Sequence, residues 1–239
     1  KARFSELKNI SRIKKWSLAL VVLGFFFLAT LSLQAEEKTG PSQTASPGAA
    51  VTKRLAVIPF QSVTPADGSS TVRCPICGSI NPGGTVVNGA QRVLEEIFTD
   101  KLSNLKDVVI IPSEKTEKIY DQVNAGSEKQ PMMEKVLKVG NELHADVVAV
   151  GFVYRYRERV GYAYSTEHPA SVAFEIHLIS VKDGTTLWRG VFDKTQRSLT
   201  ENVYEVFSFV KGGARWVNAH QLTKLGVDEV FKTFSGFGP

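Results

Sequence analysis

The longest apolar stretch of the chain lies near its amino end. Residues 16–35 are twenty positions without a charged side chain, and they follow a basic segment, residues 1–15. A run of about 18 or more apolar residues can cross the hydrocarbon core of a bilayer. Positive charge ahead of such a run keeps that end in the cytoplasm. The pattern predicts one N-terminal hydrophobic helix and places everything after Glu36 on the far side of the membrane.

Two interpretations of residues 16–35 stay open. Ala35 is a small residue at a plausible signal-peptide cleavage point, but Leu33 is larger than the rule prefers and the apolar run is long for a signal peptide. Cleavage would release a soluble periplasmic protein, whereas retention would anchor the protein in the inner membrane. No cysteine lies near the end of the run, so a lipid anchor is not predicted.

The polar chain after this segment divides into a linker and a domain. Residues 36–52 are rich in Pro, Ser, Thr, Gly and Ala without apolar periodicity, which predicts a flexible linker. Residues 53–239 suit one extracytoplasmic domain of ordinary size. We therefore expect three segments: a basic lead with its signal peptide or anchor (1–35), a linker (36–52) and a folded domain (53–239).

Within the domain, short apolar runs typical of strands alternate with segments that have the apolar spacing of helices. Short apolar runs between polar residues predict strands at 54–61, 107–112, 147–159, 171–181 and 185–194. Apolar spacings of three and four residues predict a helix capped by Asn88, a second from Ser113, a third from Pro131, and a last at 201–234 in two pieces. Asp183-Gly184 predicts a tight hairpin turn.

The element order is therefore β-α-β-α-α-β-β-β-α. Helices between the first three strands imply crossover connections, and the hairpin adds antiparallel strands. The sequence predicts an α/β (α+β) domain with a mixed sheet of about five strands and flanking helices.

The net charge gives little information about partners. The chain carries a formal charge of +5, and residues 1–15 alone hold six Lys or Arg against Glu6. The remainder is close to neutral, so no nucleic-acid partner is predicted.

Both cysteines lie in one long loop, residues 62–87, in the motif Cys74-Pro75-Ile76-Cys77-Gly78. This motif is typical of a zinc knuckle, but a structural zinc site needs four ligands. A distant histidine or a second chain would have to complete it. The four histidines, His144, His168, His177 and His220, have no paired metal-site spacing, and lone ones such as His177 are interpreted as structural. No cofactor is predicted other than this possible zinc.

Two other interpretations of Cys74 and Cys77 stay open. A thiol-redox pair is usually activated by a helix N-terminus, whereas the next predicted helix begins about ten residues later. A local disulfide would hold the long loop in an oxidising compartment. Redox activity is the only enzymatic alternative, because the phosphate-loop, G-x-S-x-G and H-E-x-x-H motifs are absent from the sequence.

Arg155, Arg157 and Arg159 alternate along a predicted strand, which places them on one face of the sheet. With the neighbouring tyrosines they could bind an anionic partner such as phospholipid head groups, a glycan or an acidic protein. The alternative is a solvated strand end with Glu158 and Glu175 as neighbours.

Four stretches resemble a known superfamily: LAVIPF from Leu55, the strand of residues 108–113, GNELHADVVAVGFV from Gly140, and DGTTLWRG from Asp183. They resemble envelope α/β domains that include the curli secretion-channel lipoprotein, the lipoprotein activators of peptidoglycan synthases and the amino-terminal domain of the Tol-system propeller protein. The resemblance implies a non-enzymatic cell-envelope protein that binds other envelope proteins or assembles with itself. The chain departs from the superfamily in lacking a lipid-bearing cysteine and in having the CPICG loop.

Overall fold

The computed structural model describes residues 52–66, 69–126, 129–162, 166–196 and 216–237. The hydrophobic segment 16–35, the linker up to residue 51 and the first piece of the predicted C-terminal helix lie outside these residues. None of the described helices is long and apolar enough to span a membrane. The division of the chain into lead, linker and domain stays a prediction.

The described residues form ten strands and four helices. The strands are β1 Lys53–Val57, β2 Gln61–Ser62, β3 Thr71–Arg73, β4 Ile80–Pro82, β5 Val108–Ile110, β6 Val147–Arg157, β7 Val160–Gly161, β8 Thr166–His168, β9 Ser171–Ser180 and β10 Thr186–Thr195. The helices are α1 Ala90–Ser103, α2 Ser113–Ala125, α3 Met132–Glu142 and α4 Ala219–Phe231.

The main sheet has the strand order β10-β9-β6-β1-β5, and the short β2 also pairs with β6. β1 is parallel to both β5 and β6, with Leu55 opposite Ile110 on one side and Val147 on the other. β9 is antiparallel to both of its neighbours, β6 and β10. Helices connect the parallel strands, as crossover connections require. The predicted mixed sheet of about five strands with flanking helices is confirmed.

Helices α1 and α4 cover one face of this sheet. Leu94, Phe98 and Leu102 recur every four residues on α1 and are fully buried, which is the stripe expected of a helix facing a core. Phe98 stacks on Trp188 of β10 with 6.4 Å between ring centroids, and Phe231 of α4 lies 5.6 Å from Trp188. This face is an apolar core rich in aromatic side chains.

Helices α2 and α3 cover the other face over β1 and β6. Buried Val136 and Val139 of α3 and its C-cap residue Leu143 belong to a second apolar cluster with Val148. A Cβ on Gly140 would lie 2.5 Å from Val181, so this glycine permits close approach of α3 to the sheet. These helices do not extend over all of β9 and β10, where the hairpin formed by β3 and β4 lies instead.

Three boundaries differ from the prediction. The strand expected over residues 54–61 is divided into β1 and β2, because Pro59 has no N–H to donate to a ladder. The N-cap of α1 is Gly89, at φ 83°, and not Asn88, because the chain enters the helix through a left-handed residue. Residues 62–87 are not a plain loop, since they contain the hairpin β3–β4.

Candidate metal centre

Strand β9 supplies two polar side chains to the interior. Its residues are buried except Ser180, which is half-buried. Glu175 and His177 are two positions apart, so they project from the same face of the sheet. Both are completely buried. Buried ionisable groups of this kind need partners, and the hairpin β3–β4 provides them.

The CPICG turn of that hairpin has the geometry of a metal knuckle. The Gly78 N–H donates to the Cys74 carbonyl at 3.0 Å, and Gly78 adopts φ 72°, which favours glycine. The Cys74 N–H donates to the Ser79 carbonyl at 2.8 Å. The N–H groups of Ile76 and Cys77 are directed at the Cys74 sulfur. The turn therefore brings both sulfurs to one side.

Four side chains converge where the turn meets β9. Cys74 Sγ lies 3.4 Å from His177 Nε2, and Cys77 Sγ lies 3.3 Å from Glu175 Oε1. His177 Nε2 and Glu175 Oε1 are 2.9 Å apart. All four ligand atoms lie within 4.8 Å of one another. In a tetrahedral zinc site with bonds of about 2.0–2.3 Å, neighbouring ligand atoms are about 3.3–3.8 Å apart. The cluster is close to that arrangement.

The Glu175 carboxylate is held by neighbours on both oxygens. Oε1 faces His177 and accepts from Arg189 Nε at 2.5 Å. Oε2 accepts from three side chains: Tyr154 OH at 2.9 Å, Asn81 Nδ2 at 2.9 Å and Ser79 Oγ at 3.3 Å. Burial alone would raise the pKa of Glu175, but hydrogen bonds from His177, Arg189 and Tyr154 hold that pKa well below its usual range. Glu175 is therefore an ionised carboxylate at neutral pH.

Two neighbouring groups, Tyr154 and Cys74, have pKa values above their usual range. Burial raises the pKa of the Tyr154 phenol, and the adjacent Cys74 and Glu175 raise it further. Burial also raises the pKa of the Cys74 thiol, although backbone N–H groups and Tyr154 partly lower it. His177 Nδ1 is buried without a hydrogen-bond partner among the described residues. His177 can thus present Nε2 to the cluster, with its tautomer set by what Nε2 binds.

Two sulfurs, one imidazole nitrogen and one carboxylate oxygen are a donor set that zinc prefers, and the sulfurs favour a thiophilic cation over magnesium or calcium. Binding would displace the two thiol protons and move the imidazole proton from Nε2, where it donates to Glu175, to Nδ1. Two thiolates and one carboxylate would then balance a divalent cation together with the Arg189 guanidinium. Four protein ligands would fill a tetrahedral shell, as in structural zinc sites.

The sequence pointed to only half of this cluster. Cys74 and Cys77 were predicted candidates, and the structure places them together as free thiols. Glu175 was interpreted as a neighbour of a solvated strand end, but it is buried in the cluster. His177 was interpreted as a structural residue. The overlooked signal was a pair of ionisable residues two positions apart in the otherwise apolar strand SVAFEIHLIS. His144, His168 and His220 are not members of the cluster.

The three predicted arginines do not lie in this cluster. Arg155 forms an ion pair with Asp193 and donates to Ser171 at 2.6 Å. β6 ends at the exposed Arg157, and Arg159 beyond it donates to the Trp216 carbonyl. Two of the three guanidinium groups are therefore engaged within the domain. Binding of an anionic partner by Arg155, Arg157 and Arg159 stays a prediction.

An open cleft of about 810 Å³ lies elsewhere, between α1 and α2 after the carboxyl end of β1. Five of its eleven lining residues are carboxylates, namely Glu95, Glu96, Asp100, Glu117 and Asp121, and Arg92 lies beside them. The half-buried Glu95 accepts from the Phe60 N–H at 2.8 Å. Burial raises the pKa of Glu95, and the charges of Glu117 and Glu96 add to this. The pKa of Glu95 in this cleft is thus raised, whereas hydrogen-bond donors lower the pKa of Glu175.

Comparison with known proteins gives distant likenesses. No protein-family model matches the chain, and no curated protein matches it. Similar solved structures include the PelC dodecamer from Paraburkholderia phytofirmans, at 15% identity over 79% of this chain and 91% of that chain, with a TM-score of 0.42. A lipoprotein from Neisseria meningitidis matches at 16% identity, 68% and 95% coverage and a TM-score of 0.41. The C-terminal domain of LpoB from Escherichia coli matches at 14% identity, 64% and 90% coverage and a TM-score of 0.36.

At identities of 14–16% and TM-scores of 0.36–0.42, these are distant likenesses of fold. The fold rests on the strand order and register described above.

Proposed function

We propose that this chain is a zinc-binding accessory domain of the cell envelope that acts through protein contacts. Cys74, Cys77, Glu175 and His177 hold one zinc ion. The observation that carries the proposal is the convergence of four suitable donor atoms, within 4.8 Å of one another, from segments about a hundred residues apart. Such a meeting of two thiols with a buried imidazole and a buried carboxylate is typical of a metal site.

In this proposal the metal fixes the hairpin β3–β4 to β9. The hairpin contributes few buried apolar side chains, chiefly Val72 and Cys74, so hydrophobic burial alone holds it weakly. A metal that binds only the folded arrangement stabilises it by its binding free energy. Zinc would therefore cross-link a long β1–α1 connection to the centre of the antiparallel half of the sheet.

A role through protein contacts is supported by the sequence resemblance and by the nature of the site. Four protein ligands leave no coordination position for a substrate, which favours a structural metal over a catalytic one. The basic and apolar leader supports delivery to the periplasmic side, as a soluble protein or one anchored in the inner membrane. Partners are then envelope proteins or further copies of this chain.

Zinc binding is tested on the full chain, purified under reducing conditions. Elemental analysis should find one zinc per chain. Competition with a chromophoric chelator should show that Cys77→Ser and His177→Ala each weaken zinc binding by more than about tenfold, since each removes a ligand. His168→Ala is the matched control, because His168 lies outside the cluster. Equal zinc affinity for the wild type, His177→Ala and His168→Ala would contradict the proposal.

Protein contact is tested by cross-linking intact membranes that contain the full chain. Recovery of envelope proteins or self-oligomers is the expected result. Recovery of monomer only, together with turnover of a small substrate by the purified chain, would contradict the accessory role.

A further inference from the structure

The four proposed ligands differ sharply in accessibility. Cys74 is 2% exposed and both Glu175 and His177 are 0% exposed, whereas Cys77 is an exposed residue. A reagent from solvent can therefore reach one ligand and not the other three. An exposed sulfur is the reactive partner in thiol–disulfide exchange.

The charges of the site also balance when no metal is bound. Arg189 already pairs with Glu175, and Tyr154, Asn81 and Ser79 occupy the other oxygen. With both cysteines as neutral thiols, the carboxylate and the guanidinium balance. The same balance holds with two thiolates and a divalent cation, and with a neutral disulfide. Loss of the metal therefore leaves no unpaired buried charge, which would otherwise be strongly destabilising.

The two sulfurs are within reach of each other. Their Sγ atoms lie within 4.8 Å in one tight turn with two residues between the cysteines. A disulfide requires about 2.05 Å between the sulfurs, so rotation of the exposed Cys77 side chain toward Cys74 is the main movement needed. The metal-bound dithiolate and the disulfide are thus two states of the same turn.

Building on the proposed function, we propose that this zinc site is reversibly occupied and controlled by thiol oxidation. A disulfide-bearing oxidant reacts first at Cys77. The Cys77 thiolate attacks the oxidant's disulfide, forms a mixed disulfide and releases one thiolate. The Cys74 thiolate then attacks the Cys77 sulfur and releases the second thiolate. The two cysteines are oxidised by two electrons, the oxidant is reduced to two thiols, and zinc leaves because it has lost both sulfur ligands.

The hairpin keeps other attachments in the oxidised state. Asn81 Nδ2 donates to Glu175 at 2.9 Å and Arg189 donates to Ser79 Oγ at 2.9 Å, and neither hydrogen bond involves a cysteine sulfur. Oxidation therefore removes the metal cross-link without removing the hydrogen bonds. The local disulfide between Cys74 and Cys77 is then the metal-free oxidised state of the domain.

The test uses the zinc-loaded full chain and oxidised glutathione as the probe. Released zinc is followed with a chromophoric chelator, free thiols are counted, and intact mass reports the loss of two hydrogens. One zinc should be released for every two thiols lost, and reduction followed by added zinc should restore the starting state. In the control Cys77→His, zinc should stay bound under oxidant, because a nitrogen ligand replaces the accessible sulfur.

Three results would overturn the inference. Zinc and both thiols could persist under conditions that oxidise the metal-free chain, which would make the metal a permanent cross-link. Zinc could leave with a stable glutathione adduct at Cys77 and no internal disulfide. If Cys77→His releases zinc as fast as the wild type, oxidation of Cys77 is not the cause. A chain that never takes up zinc fails at the loading step, and that result contradicts the proposed function itself.

Discussion

The two faces of strand β9 are covered by regions that are held in place by different interactions. Phe174, Ile176 and Leu178 point into the apolar core beneath α1 and α4. The intervening Glu175 and His177 point to the opposite face, beneath the hairpin β3–β4. One face is covered by two amphipathic helices, and the other by a short hairpin with two cysteines.

The difference shows how the covering element determines the chemistry beneath it. A helix contributes a wide apolar stripe, so burial is sufficient to hold it. A short hairpin has few apolar side chains to bury, so directional bonds to Glu175 and, in our proposal, a metal hold it instead. Polar attachment of this kind can be released by a chemical change that would leave the helical face intact.

The largest expected effect is on the helical face. Phe98→Ala should lower the free energy of unfolding by about 3–5 kcal/mol, because it removes a fully buried ring stacked on Trp188. Chemical denaturation of the metal-free chain measures this loss. The exposed Val109 of β5 provides the matched control, since Val109→Ala should change stability little. Zinc affinity of the folded Phe98→Ala variant should match the wild type, and a large drop would show that the two faces are coupled.

Zinc should raise the free energy of unfolding in full only when all four ligands of the hairpin site are present. At a free zinc concentration of 100 times Kd, the wild type should gain about 2.7 kcal/mol in unfolding free energy. His177→Ala should gain much less at the same zinc concentration, because it lacks one ligand. Thermal unfolding with and without zinc reports the difference. Equal stabilisation of both proteins would locate the metal elsewhere.

Glu175→Gln should have a smaller effect on the metal-free chain. Loss of the buried carboxylate weakens the bonds from Arg189, Tyr154 and Asn81 and should cost about 1–3 kcal/mol at neutral pH. The pKa of Glu175 is lowered in the folded state, so its contribution is present above the unfolded pKa of about 4.3 and is lost as pH falls toward the folded value. Stability curves of the wild type and Glu175→Gln should therefore converge in acid. A gap that widens in acid would contradict this sign.

Glu95 provides the opposite case and the smallest effect. Its pKa is raised by burial, so its favourable state is fully present below about pH 4.3 and is lost as pH rises through the folded pKa. Glu95→Gln should therefore be slightly more stable than the wild type at pH 7 and equal to it in acid. The exposed Glu96→Gln is the control. Lower stability of Glu95→Gln at pH 7 would show that its bond from the Phe60 N–H outweighs the cost of burying its charge.

Local pattern predicted most of the fold. The stripe from Ala90 to Leu102 and the hairpin turn at Gly184 were visible in neighbouring residues alone. The prediction of one strand over residues 54–61 and of a cap at Asn88 was wrong, because both features depend on how the chain bends after β1.

The cysteine pair was also visible locally, but its partners were not. His177 is 103 residues from Cys74, and only the antiparallel pairing of β9 with β6 and the placement of the hairpin bring the two together. The spacing of Glu175 and His177 indicated a shared face, but not which loop would cover it. The sequence could therefore predict two of the four ligands, Cys74 and Cys77, but not that Glu175 and His177 lie beside them.

X-ray absorption at the zinc edge of the reduced, zinc-loaded full chain measures directly which atoms bind the metal. We expect a four-coordinate shell with two sulfurs at about 2.3 Å and two nitrogen or oxygen atoms at about 2.0–2.2 Å, supplied by Cys74, Cys77, His177 and Glu175. A shell of four sulfurs would mean that two chains share the metal through their cysteines. A shell of oxygen and nitrogen atoms without sulfur would show that the cluster does not bind zinc.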